Sequence, residues 1–97
     1  MHRIVWSEAS VRDLRRIDAF YTTRNPDAGA RMLRAIRATA VRLSEYPASG
    51  RPVRLPFRVL GVRHTPYLVV YRYAEEAVEI ARIRHVREGW RDGPEAE

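Results

Sequence analysis

The chain has 97 residues, a formal net charge of +6 and no cysteine. That length predicts one domain, with residues 1–91 as the folded unit and 92–97 as a disordered acidic tail. The composition excludes a disulfide framework, a thiolate nucleophile and a Cys-ligated zinc site, and a hydrophobic content of 45% sets the chain apart from disordered proteins.

Ile4, Val5 and Trp6 form a short apolar run and predict a first strand. Ser7 then offers the side-chain oxygen that caps a helix, and Glu8 sits well at the positive end of its dipole. Val11, Leu14, Ile17 and Tyr21 recur at helical spacing with charged residues between them, which predicts a helix over 8–24. Asn25-Pro26 restarts the chain as an N-cap and a first-turn proline. A second helix over 26–45 follows, with Met32 or Leu33, Ile36, Ala40 and Leu43 as its apolar stripe. Alanines at 28, 30, 35, 38 and 40 predict close packing on the first helix, and Arg31, Arg34, Arg37 and Arg42 read as a solvated face. Tyr46-Pro47 ends this helix, and so short a link between two helices predicts an antiparallel hairpin.

Three strands complete the chain: Val53–Val62, broken early by Pro56, then Tyr67–Tyr73 and Val78 to about His85, joined by short turns as an antiparallel meander. The first of them is expected to pair with the N-terminal strand. The predicted fold is α+β and two-layered, a helical hairpin on a small, mainly antiparallel four-stranded sheet in the order β-α-α-β-β-β. Alternation puts Tyr67, Val69, Tyr71 and Tyr73 under the helices and Leu68, Val70 and Arg72 on the open face. On the last strand Ile83 is the natural core residue, which would place Arg82 and Arg84 beside Arg72. Strict alternation then sends Glu79 inward, so a bulge or a different register is open there.

Every cationic side chain is arginine, which presents a planar fork of donors to phosphate or carboxylate. The arginines are spread along the chain, so placement must single out a site. Arg82, Arg84, His85 and Arg87 crowd the end of one strand, where like charges repel unless an anionic partner meets them. With Arg72, and with Trp90 as either a packing anchor or an interface contact, they form the candidate partner-binding set. His85 is equally a structural residue closing the strand, and Arg51 is either a loop residue or part of a binding rim. His2 and His64 have no partners at metal-ligand spacing, and neither a metal nor a cofactor is expected. No apolar run approaches the ~20 residues a membrane span needs, and the N-terminus lacks a signal pattern. The expectation is a soluble, cytoplasmic protein with no membrane partner.

One combination of features is more specific. Val5-Trp6-Ser7 leads into Ala9 and Asp13-Leu14, and Asn25-Pro26 is followed by Ala28 and Ala30. Leu43 and Pro47 precede Gly50-Arg51, and Arg58 lies on the next strand. Pro66-Tyr67 and Val70-Tyr71-Arg72 are followed by Ile80, Arg82, Ile83, His85 and Arg87. In this order the chain resembles the RelE/ParE family of type II toxin–antitoxin toxins, and more closely the ParE side. The resemblance implies a cognate antitoxin carrying an acidic amphipathic segment. It leaves two targets open. ParE-like members are associated with poisoning DNA gyrase, with no catalytic residues assigned. RelE-like members cut mRNA on the ribosome, for which Arg51, Arg58, Arg84 and His85 would be the candidate catalytic residues. RelE-type toxins tend to carry an arginine directly after the aromatic residue of the third strand, where this chain has Leu68. An apolar side chain cannot neutralise a developing phosphorane. The gyrase-type reading is therefore preferred, with the mRNA endonuclease as alternative and a non-enzymatic nucleic-acid binder third.

Overall fold

A computed structural model describes residues 1–87. The expected tail at 92–97 and Trp90 lie outside these residues. Strand β1 (Arg3–Trp6) is followed by helices α1 (Glu8–Thr22) and α2 (Pro26–Glu45), then a single 3-10 turn at Pro47–Ser49. Strands β2 (Arg51–Pro52), β3 (Arg58–Gly61), β4 (Tyr67–Tyr73) and β5 (Ala77–His85) follow. Both helices start where their caps predict. The Ser10 N–H donates to Ser7 Oγ at 3.0 Å, and the Ala28 N–H donates to Asn25 Oδ1 at 3.1 Å.

The sheet order is β1-β5-β4-β3-β2. β3, β4 and β5 form the expected meander, but two expectations about the sheet are corrected. β1 does not pair with the first strand of the meander; it lies parallel to β5, with Arg3 opposite Ala77 and Trp6 opposite Ile80. The helical hairpin is long enough to carry the chain across the sheet, and β5 is the strand whose free edge faces α1. The stretch 53–62 is a strand only over Arg58–Gly61, after the break expected at Pro56. The chain folds back on itself through a turn containing a cis Leu55–Pro56 bond, so that Arg51 pairs with Val59 and Pro52 with Arg58. A proline within the run interrupts the ladder because it has no N–H to donate. The four expected strands thus become five, the added one being a two-residue edge.

The main core lies between helices and sheet. Ile17, Ile36, Ala40 and Leu43 meet Val69, Tyr71, Val78, Ile80 and Ile83. Gly29 gives the helices their close approach; of the alanines, Ala28 and Ala40 are buried and Ala35 half-buried, while Ala30 and Ala38 are exposed. A Cβ at Gly29 would lie 2.6 Å from Tyr21 Cβ. The opposite sheet face carries a second apolar cluster of Phe57, Val59, Leu68, Val70 and Ala81.

Candidate functional site

The register of β5 decides where its charged residues go. Tyr71 pairs with Ile80 but Val70 pairs with Arg82, so Ala81 is an extra residue, a bulge. The bulge lets Ile80 and Ile83 both face the helices. Glu79 accordingly lies on the opposite face rather than in the core, where its Oε1 accepts from Arg72 Nε at 2.7 Å.

A bulge disrupts the ladder and leaves backbone groups to be satisfied. β1 stops beside Ile80, and α1 takes over from it. Ser7 Oγ donates to the Ala81 carbonyl at 2.8 Å, and the Ile83 N–H donates to Asp13 Oδ2 at 2.9 Å. The same carboxylate receives Arg82 through a two-point contact, Nε to Oδ2 at 2.8 Å and Nη2 to Oδ1 at 3.1 Å. The side chains of Arg82 and Asp13 are only 13% and 4% exposed. Asp13 is the residue that sequence reading missed. Its signal was present: with Ser10 it occupies the stripe that also holds Ile17, and a carboxylate on a buried stripe requires a buried partner.

The candidate residues do not gather into one basic patch. Arg72 is exposed on the face opposite the helices, with its guanidinium 5.7 Å from the Phe57 ring centroid. Arg84 shares that face, opposite Leu68, but is 3% exposed. His85 is opposite Tyr67 and lies on the helix-covered side, its ring edge-on to Tyr67 at 5.7 Å. Arg87 is exposed, and its N–H donates to His85 Nδ1 at 3.2 Å. Arg51 is exposed on the edge strand. Arg58 is opposite Tyr71 on the helix-covered side, and its Nη1 donates to the Gly50 carbonyl at 2.8 Å.

Two grooves hold candidate residues, one with Arg72 and Arg82 and the other with His85 alone. One of about 290 Å³, lined by Ser7, Ala9, Phe57, Arg72, Glu79, Ala81 and Arg82, opens beside the bulge. The other, about 420 Å³, runs between α1 and the end of the sheet and is lined by Arg16, Ile17, Phe20, Tyr21, Tyr67 and His85. Phe20 is half exposed there, with the Arg24 guanidinium 4.1 Å from its ring centroid. Exposed aromatic and arginine side chains around an apolar floor suit a protein partner. Among the described residues no three of His, Asp or Glu are grouped as a metal site would require, and no helix is long and apolar enough to cross a membrane.

Known proteins share this architecture and sequence. A chain from the chromosomal ParDE toxin–antitoxin system of P. aeruginosa superposes with a TM-score of 0.76 over 88% of this chain and 96% of that one, at 22% identity, a likeness of fold. A protein of Sinorhizobium fredii named "Putative toxin Y4kP" is 38% identical over 89 residues, covering 91% of this chain and 92% of the relative. "Toxin RelE2" of Caulobacter vibrioides is 35% identical over 85 residues, covering 88% and 96%. Residues 4–90 match the family described as the ParE toxin of the type II toxin–antitoxin system, parDE. With the helical hairpin on its sheet and a match over nearly the whole length, the chain belongs to the ParE toxin family, as the toxin of a type II toxin–antitoxin pair with a cognate antitoxin as its partner.

Proposed function

We propose that this toxin inhibits DNA gyrase in the cytoplasm and is held inactive by its antitoxin. The observation that carries this reading is Leu68. It is 8% exposed and sits in the apolar cluster with Phe57, Val59 and Val70. Cleaving RNA at a 2′-hydroxyl needs a base, a cation for the phosphorane and an acid for the leaving oxygen, all around one phosphate. Leu68 itself offers only hydrocarbon, and Arg84, opposite it on β5, is buried rather than presented to a phosphate. The other nuclease candidates are dispersed, with Arg84 and His85 on opposite faces of β5 and Arg58 engaged by the Gly50 carbonyl. A toxin that acts by occupying its target needs a shaped surface instead, and the groove holding Phe20, Tyr67 and His85 offers one.

The test is a supercoiling assay with purified toxin and gyrase. Loss of supercoiling that antitoxin reverses is the expected result; unchanged supercoiling at high toxin excess overturns the proposal. The second reading is the RelE-like one, a ribosome-dependent mRNA endonuclease, and a relative named "Toxin RelE2" keeps it in view. In translating ribosomes given the toxin, cleavage of mRNA at the A site, abolished by His85→Ala, would establish that alternative.

A further inference from the structure

One sheet edge is open in a way that β2 does not repair. β2 pairs with Arg58 and Val59 and no further, so among the described residues no strand lies beside Leu60 and Gly61 on that side. The Val62 N–H donates to the Tyr67 carbonyl at 3.0 Å, inward to β4. Alternate residues of an antiparallel ladder point their backbone groups to opposite sides. Gly61, one residue earlier, therefore aims both its N–H and its C=O away from β4. The position is exposed, and a Cβ there would meet only Leu68 Cδ2, at 3.8 Å.

Helix α2 runs alongside this edge. Its short side chains at Ala35, Ala38 and Thr39 leave a groove of about 370 Å³ against Leu60 and Gly61, flanked by Arg42 and Arg63. Arg72 and Arg82 each have a carboxylate partner; among the described residues Arg42 and Arg63 have none. The groove thus combines one outward backbone donor, one outward backbone acceptor and two flanking cations. An inorganic anion would use the cations and the N–H but leave the Gly61 carbonyl unmatched. An extended peptide satisfies both backbone groups, as strand addition does, and acidic side chains on it would meet both arginines.

We propose that this groove takes a short, extended, acidic segment of the antitoxin, which adds to β3 across Gly61 and sets carboxylates against Arg42 and Arg63. The proposal rests on the antitoxin being the partner, and it places one contact of that partner away from the α1 groove that holds Phe20, Tyr67 and His85. The experiment uses the full chain alone and co-expressed with the antitoxin encoded beside it, with amide hydrogen exchange followed residue by residue. Gly61 exchange is expected to slow at least tenfold in the complex, while Val62, already bonded to Tyr67, changes little. R42E/R63E is expected to weaken the complex at least tenfold and to flatten its salt dependence. Gly61→Pro removes the outward N–H without touching the β4 ladder and is expected to weaken it too, with thermal melts of the free variants verifying that each is folded. A complex in which Gly61 exchange is unchanged and R42E/R63E binds like the native chain overturns the groove while leaving the antitoxin reading intact. Absence of any complex overturns both.

Discussion

The Tyr71 hydroxyl accepts from the Gly50 N–H at 2.8 Å and donates to the Pro47 carbonyl at 2.6 Å in a fully buried place. It ties the 3-10 turn after α2 to the middle of the sheet. Tyr71→Phe leaves both backbone groups without that partner and is expected to cost about 1–3 kcal/mol, read as a lower denaturant midpoint. Burial also raises the ionisation of this hydroxyl above its ordinary value near 10.0. The unfolded tyrosine loses its proton first as pH rises. Its contribution is whole below about pH 10 and declines above that, so the native chain should lose more stability between pH 9 and 11 than Tyr71→Phe does. Asp13 is a different case, a buried carboxylate serving Arg82 and the bulge together. Asp13→Ala strands both, at an expected cost of about 3–5 kcal/mol. Arg82→Ala should likewise lower stability, whereas a pure interface residue would change binding alone. Arg72 with Glu79 is half exposed, and breaking that pair should change stability by less than about 1 kcal/mol. The candidate site was therefore legible as a list of charged residues but not as a surface. Exposure depends on the bulge, and the bulge depends on side chains about 70 residues away in sequence.

The elements followed local rules where those sufficed. Caps, periodicity and the Asn25-Pro26 restart gave both helices within two residues, and alternation placed Tyr67, Val69 and Tyr71 against the helices. What local rules missed was pairing. Nothing in Arg3–Trp6 says which edge it will join, because a strand's partner is chosen by where the helices deliver it. The division of β2 from β3 depends on a turn, and the interhelical contact on one glycine. Gly29→Ala is expected to cost about 1–3 kcal/mol, because the added Cβ drives the hairpin apart. Tyr21→Ala should not relieve it, since the collision is with the Tyr21 Cβ that alanine retains. Equilibrium unfolding of the single and double variants would check both statements.

Over the whole molecule the net charge is +6, every cation being arginine, and one acid, Asp13, is buried in a pair with Arg82. Association with an acidic partner should consequently be steered by the field of the entire surface. The association rate with antitoxin is expected to fall several-fold between 50 and 300 mM salt, on the order of the screening change, with dissociation altered less; stopped-flow mixing would measure both. The parallel placement of β1 beside β5 bears on the making of the protein. β1 and α1 are synthesised well before their partners at residues 77–83. Until then the hairpin carries an apolar stripe with nothing to cover it, and an isolated pair of helices is marginal. The newborn chain gains its surfaces together, after residue 85 is in place. A surface that needs both β1 and β5 is therefore presented to a partner only once β5 has been made.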